Sequence, residues 1–543
     1  MPTLTEVKSA RLPSEQRDPS PAPEAPRLPV SNSSLAEKSA LIGLAALILY
    51  ATVRNICQSL VRPLWYDEIC TMLMVQQLHL HRLWQALAHG ADGQPFAFYL
   101  VESAVATFIR NENLAYRGVS ILGFAVTLLC LYVAVKTRKG AAIALVCTAI
   151  PLTSILFEVL SVEARPYSLV VACIAFAIVC YQRVPQRRWV ILLGLGLFLA
   201  QAFHHFAVLA FLPFFLAEAT HYSVTRQLRR GVWLALLSGL VPLAISWPVL
   251  SHFKSYYSPH YWAKPTLEAA LNSYGWYFLR FDLYPMWGLY LAAVGAIAIL
   301  FTMLATLRRT SQGKYPEGAP LNELMLVLAF LALPLASFAF AMVAHSSMYP
   351  KYIVASFLGF PLAFGFALPS LRRWGFLLPA VSAALLLSVI ASQQYRFWTA
   401  FYTPQFVSPA SSVEALVNAG GHPDLPVVVS DVLDFLPLQH YADKNWQKRF
   451  VVLFDPEQAF AYTGNDNSDK HLAALHLYTN LPIYDFHSFV AEHPAFLLYS
   501  SNGGLGRDWW PGRLKKDGFK VQNVSVRPKE AHDYFHRVVL VTR

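Results

Sequence analysis

The chain has 543 residues, 55% of them hydrophobic and only 14% charged, whereas an average soluble domain is about 25% charged. That deficit excludes a water-soluble protein of this length. The net charge of +11 falls in short basic clusters between apolar runs, so it reads as orientation in a membrane, and no nucleic-acid partner is expected.

Residues 1–38 are rich in Pro, Ser and Glu and read as a disordered cytoplasmic tail. A cleaved signal would need a basic start followed closely by an apolar core, so Ser39–Val61 reads as an uncleaved anchor. Apolar runs then recur to about residue 392. Basic clusters lie between them at Lys136-Thr-Arg138-Lys139, Arg183 with Arg187-Arg188, Arg226 with Arg229-Arg230, Arg308-Arg309 with Lys314, and Arg372-Arg373. Keeping all of them cytoplasmic threads the spans as roughly 39–61, 118–135, 141–157, 167–182, 189–204, 207–222, 232–250, 286–307, 323–344, 352–369 and 375–392. The threading requires that Gln94–Ile109 not cross, because a crossing there would turn every later basic loop outward. That segment is short and carries Glu102 in its middle, so residues 62–117 read as one long outer loop with surface helices. The run 189–222 has basic ends and reads as a hairpin with His204-His205 at its outer turn. The six cysteines show no paired metal spacing, and most sit in apolar runs as small hydrophobes.

The character changes after Ser392. Val427–Ser430, Phe450–Phe454, Phe496–Tyr499, Phe519–Val526 and Val538–Val541 read as strands, with helices allowed at 469–478 and 485–493. Strands alternating with helices imply an α/β domain over 393–543. With an odd number of spans before it, this domain lies outside the membrane, periplasmic or extracellular. Asn502-Gly-Gly-Leu-Gly506 has the wrong spacing for a phosphate loop and reads as a turn. The expected architecture is a polytopic α-helical membrane protein of about 11–13 spans with a C-terminal soluble α/β domain.

This threading gathers charge on one face. Asp67 and Glu68 follow the first span, and Glu158, Glu163, Arg165 and Tyr167 follow the third. Loop 251–285 adds Tyr256-Tyr257, His260-Tyr261-Trp262, Trp276-Tyr277, Lys254, Lys264, Arg280 and Asp282, and a later loop adds His345, Tyr349, Lys351 and Tyr352. Aromatic residues at this level also form interfacial belts, but a belt does not account for acids and bases from separate loops meeting. A carboxylate can take the proton of an acceptor hydroxyl as it attacks a sugar carbon. Arg or Lys can hold a departing phosphate. A site at the membrane surface suits a donor with a lipid tail.

These residues resemble a known group. Asp67-Glu68 after the first span, Gln94-Pro95-Phe96 with Tyr99, Arg117 before the second span, Glu163-Ala-Arg165-Pro-Tyr167 after the third and Lys351-Tyr352 near a late span are similar to the pattern of the GT-C glycosyltransferases. Within them the pattern looks like the bacterial relatives of the protein O-mannosyltransferases and the aminoarabinose transferase of lipid A. The resemblance covers roughly 39–392. It implies a polyprenyl-phosphate sugar donor, a lipid, glycan or protein acceptor, and a site on the outer face of the inner membrane. It implies Asp67 as general base supported by Glu68, Glu163 as a second acid, and Arg165, Lys351 and Tyr352 toward the donor phosphate. Glu158, Tyr167, Arg117, His204, His205 and His345 are further candidate substrate contacts. Two departures stand out. The family's His-Pro-Pro is Gln94-Pro95-Phe96 here, and its late Arg-Tyr is Lys351-Tyr352, which keeps the charge and loses the bidentate fork. No cofactor is indicated; a divalent metal fits the chemistry, but no ligand spacing names its site. The rival reading is a transporter or lipid-handling protein without transferase chemistry. Such proteins place charge near the bilayer midplane and show repeated halves, and neither is visible here.

Overall fold

The computed structural model describes residues 30–77, 79–257, 260–278, 287–311, 319–367, 377–401, 406–501, 508–527 and 536–543. The tail up to residue 29, Arg280 and Asp282, Lys314, Arg372-Arg373 and the turn Asn502–Gly506 lie outside them.

The membrane region opens with α1 (Val30–Val61), so helix begins before the expected end of the tail at residue 38. Three short helices follow over the segment expected as an outer loop: α2 (Tyr66–Val75), α3 (Leu80–Ala88) and α4 (Phe96–Ala106). Helix α4 has 11 residues and reaches about 16 Å, half the hydrocarbon thickness, so it is too short to cross by itself. Then come α5 (Glu112–Lys139), α6 (Ala141–Ala149), α7 (Ile155–Leu160), α8 (Tyr167–Tyr181) and α9 (Arg187–Phe203). The 189–222 run breaks at His204, whose extended backbone (φ −152°, ψ 130°) starts a 3-10 stretch, His205–Phe211, leading into α10 (Leu212–Thr225). The region continues with α11 (Arg230–Ser238), α12 (Val241–Tyr257), α13 (Leu267–Phe278), α14 (Trp287–Ser311), α15 (Leu321–Ala344), a 3-10 stretch Pro350–Leu358, α16 (Gly359–Ala367) and α17 (Leu377–Arg396).

Among the described residues six helices are long and apolar enough to cross a membrane, and four shorter apolar helices lie at 96–106, 141–153, 167–181 and 350–366. The eleven expected spans are thus a mixture of full-length and abbreviated helices. Close approaches lock the bundle: a side chain at Gly123 would meet the backbone of Ser168 and Leu169 at 2.9 Å, so α5 and α8 touch nearly backbone to backbone.

The expected domain division at 393 falls inside α17. Gln394 is buried, accepts from Arg54 and Tyr50, and donates to the Leu152 carbonyl, which fixes this stretch to the membrane bundle. The C-terminal domain starts with α18 (Pro409–Ala419). It contains β1 (Val427–Val429), α19 (Val432–Tyr441), α20 (Lys444–Arg449), β2 (Phe450–Phe454), α21 (Pro456–Thr463), α22 (Asn467–Tyr478), β3 (Ile483–Asp485), α23 (Phe486–Glu492), β4 (Ala495–Ser501), α24 (Trp510–Lys516), β5 (Lys520–Arg527) and β6 (His536–Thr542). The sheet order is β3-β2-β1-β4-β6-β5. The first four strands are parallel, and β6 and β5 join antiparallel. Strand alternation divides its core. Val427 and Val429 face an apolar cluster continuous with the membrane bundle, while Val428 faces a second cluster with Phe489 and Trp510. Helix α19 seats the domain on the membrane region: the Tyr441 hydroxyl accepts from Leu64 N at 2.7 Å and donates to Asn113, and His440 pairs with Glu112.

Candidate active site

Helix α2 starts from Trp65, which is extended (φ −99°, ψ 177°), and carries Asp67 and Glu68 in its first turn, where the helix dipole favours negative charge. Successive helical residues step about 100° around the axis, so the two carboxylates face different surroundings. Glu68 turns inward and is 1% exposed. It takes Arg117 Nε at 2.7 Å and Nη2 at 2.6 Å, Trp65 N at 3.1 Å and Ala164 N at 2.9 Å. The other Arg117 donors reach the carbonyls of Ser59, Arg62 and Pro63, so all five of its N–H groups are used. Arg117 therefore has no donor left for substrate. With Glu68 it forms a strut joining α1, α2, α5 and the 163–165 turn, and Glu68 supports the site by position.

Asp67 turns toward the domain interface and is 22% exposed at its side chain. Lys351 Nζ donates to its Oδ2 at 2.8 Å, and Arg165 Nη2 lies 3.5 Å from its Oδ1. Burial pushes the Asp67 carboxyl up, but Lys351 and Arg165 outweigh burial and hold it well below the usual carboxylate range. Arg165 is gripped on its other side by Asp92, at 2.6 Å. Asp92, from the turn before α4, was not picked out in the sequence. The string Asp67–Arg165–Asp92 therefore joins the first turn of α2, the 163–165 turn and the turn before α4. Lys351 sits among aromatic rings, with Nζ 5.4 Å from the centroids of Trp65 and Tyr167 and 5.9 Å from Tyr349. The Tyr352 hydroxyl meets that of Tyr261 at 3.2 Å, and its ring stacks on Phe206 at 4.7 Å. His204, capping the 3-10 stretch, packs its ring between Tyr167 and Tyr352. An apolar cleft opens beside Lys351, lined by Val170, Ala207, Leu209, Leu333 and Ile353.

Glu163 lies within electrostatic reach of Lys351 and Asp67, and its buried Oε1 has no hydrogen-bond partner. Burial pushes it up, Lys351 pulls it back, Asp67 and Glu68 add repulsion, and the balance lies at about 7. This gives a pH prediction. The native state holds the Glu163 proton more tightly than the unfolded chain, so folding stability falls as pH rises from about 4.5 to about 7 and is flat above. Glu163→Gln removes that slope. The variant is expected to gain about 3 kcal/mol on the wild type between pH 5 and pH 8, read from thermal melting in detergent. A constant difference across that range would show that Glu163 is ionised throughout.

The remaining candidates lie apart. Glu158 is buried on α7 and adds to the negative field around Arg62. His205 has a buried Nδ1 without a hydrogen-bond partner and makes none of the ring contacts of His204 among the described residues. His345 is exposed and ends α15 in a left-handed turn (φ 47°). Among the described residues no three His, Cys, Asp or Glu side chains gather as ligands for a metal.

No protein-family model matches the chain, and no curated protein matches its sequence. Two solved structures of ArnT from Cupriavidus metallidurans do match in shape. The apo form gives a TM-score of 0.52 and the form bound to undecaprenyl phosphate 0.54, each at 14% identity over 93% of this chain and 98% of ArnT. At that identity the likeness carries the fold, and it spans both the membrane bundle and the C-terminal domain. The chain thus shares its fold with ArnT across the membrane bundle and the C-terminal domain.

Proposed function

We propose that this protein is a membrane glycosyltransferase that moves a sugar from a polyprenyl-phosphate donor to an acceptor hydroxyl by inverting displacement. One observation carries the reading: Lys351 and Arg165 converge on Asp67, and Lys351 also borders a small apolar recess. Two cations beside a carboxylate suit a reaction in which a phosphate departs while a hydroxyl loses its proton. The acceptor oxygen forms a bond to the anomeric carbon, the bond from that carbon to the phosphate oxygen breaks, and Asp67 takes the hydroxyl proton. The polyprenyl phosphate leaves with its new negative charge against Lys351 and Arg165. A phosphate arriving there shares their charge with Asp67, so the carboxylate becomes more basic as the donor binds. ArnT, whose fold this chain shares, has been solved with undecaprenyl phosphate bound, and that lipid is the proposed carrier here.

The outer face of the bacterial inner membrane is the proposed location. Arg138 ends α5 about 30 Å along the helix from Arg117, and Arg183 and Arg229 cluster with it near Glu323, Gln182, Tyr181 and Glu218. A basic end opposite the site fits a cytoplasmic end.

The test is undecaprenyl phosphate binding in mild detergent, followed by native mass spectrometry. The wild type is expected to retain the lipid, and Lys351→Ala to bind it about 10- to 100-fold more weakly, as for loss of a charge-assisted hydrogen bond. Retention of ordinary phospholipid only, or equal binding by the variant, would remove the donor assignment. Labelled sugar appearing in a new covalent product would separate transfer from transport.

A further inference from the structure

Helix α22 of the C-terminal domain reaches into the site. Its His471 ring lies edge-on to Tyr66, with centroids 5.6 Å apart, and is hydrogen-bonded to both sides of the charge string. Nε2 is 2.7 Å from the Ala91 carbonyl oxygen, and Nδ1 meets the Tyr66 hydroxyl. A carbonyl can only accept, so Nε2 carries the proton and Nδ1 accepts from Tyr66. Burial lowers the imidazole below its ordinary value, in keeping with this neutral form. Tyr66 immediately precedes Asp67, and Ala91 immediately precedes Asp92.

The turn before α4 has local hydrogen bonds back to α3, and outside contacts add to them. Gly90 has φ +83°, and its carbonyl accepts from the Tyr257 hydroxyl at 2.8 Å. The Tyr478 hydroxyl, two turns along α22 from His471, meets His89 Nδ1 at 2.7 Å. On the same helix Asn467 donates to the Tyr257 carbonyl and accepts from Trp262 N. Helix α22 therefore braces the turn carrying Asp92, and it also holds Tyr257 and Trp262.

We infer that His471 is a positioning residue: by clamping Tyr66 and Ala91 it holds Asp67 and, through Asp92, Arg165 in register for a phosphate, so that the C-terminal domain completes the site. This rests on the proposed function, because the phosphate is that of the donor. It gives the C-terminal domain a task that its sequence alone does not suggest. Both of its ring nitrogens are engaged by Tyr66 and Ala91, so the residue acts through these two partners.

The experiment titrates undecaprenyl phosphate into full-length wild type, His471→Ala, Tyr66→Phe, the double variant and His471→Gln, each checked for cooperative melting. Displacing a phosphate-holding cation by about 1 Å is expected to weaken binding by about tenfold in His471→Ala. Tyr66→Phe should weaken it in the same direction, and the double variant should be no weaker than His471→Ala, since both substitutions break one linkage. His471→Gln keeps a donor for the Ala91 carbonyl and should recover most of the affinity. General loosening of the fold would lower every melting point without this pattern of rescue. Wild-type affinity in His471→Ala, or losses that multiply in the double variant, would overturn the inference. A wild type that does not bind undecaprenyl phosphate would instead overturn the functional proposal beneath it.

Discussion

Asp67→Asn is expected to lower transfer by about 10²–10⁴-fold while leaving a folded protein that still takes up undecaprenyl phosphate. Asparagine is nearly isosteric and can still accept from Lys351, so the partly exposed helix start is preserved. What it cannot do is take a proton. It also no longer competes for Lys351 and Arg165, which lie 2.8 and 3.5 Å from the carboxylate, so the phosphate should bind as tightly as in the wild type or more tightly. Asp67→Glu is informative beside it. The charge stays, but one added methylene moves the carboxylate by about 1 Å, enough to cost about 10²-fold. Turnover and lipid affinity are to be measured on the same preparations. Wild-type turnover by Asp67→Asn would end the assignment of Asp67 as base, whereas parallel loss of turnover and lipid binding would make Asp67 an architectural residue.

Much of this site was legible because its chemistry sits in short, local patterns. The Asp-Glu pair after a span, Glu163-Ala-Arg165 and Lys351-Tyr352 are rare charges among apolar residues, and a bilayer confines such groups to its surfaces. The family resemblance implied that Glu68 supports Asp67, but the residues alone do not show how. Which of Asp67 and Glu68 faces the interior depends on the rotation of α2, and Arg117 is a strut only because three backbone carbonyls happen to converge on it. Asp92 carries no pattern of its own: it is a lone acid beside a glycine, and its meaning comes from Arg165. His471 is 405 residues from Tyr66, and nothing in the chain indicates that α22 folds back over the first loop. In the C-terminal domain, β1, β2, β4, β5 and β6 follow from β-branched and aromatic runs. Strand β3 was missed because it has three residues after a proline, and it exists only as an edge on β2. The spans are also less regular than hydropathy alone suggests. Helices such as α6 and α7 are apolar enough for a membrane but are interrupted at Pro151 and Ser154, so hydropathy counts as one crossing what the chain builds in pieces.

The largest effect on folding is expected at Glu68. Its carboxylate is the only acid that the Arg117 side chain contacts among the described residues, and both side chains are essentially inaccessible, at 1% and 0%. Glu68→Ala leaves a guanidinium charged and buried, because arginine does not give up its proton. Breaking a buried pair from one side costs about 3–5 kcal/mol. The same change orphans Ala164 N and Trp65 N, which ties the loss to the 163–165 turn and to the start of α2. The variant should therefore melt well below the wild type or fail to accumulate, and its inactivity would report folding. Arg117→Lys should fall between the two, since an ammonium keeps the charge but has three donors for five acceptors. Glu68→Ala melting with the wild type, yet inactive, would return Glu68 to the chemistry. The order expected from the geometry is that Asp67→Asn is folded and inactive, Glu68→Ala is unfolded, and the two neighbouring carboxylates separate cleanly into one that reacts and one that holds.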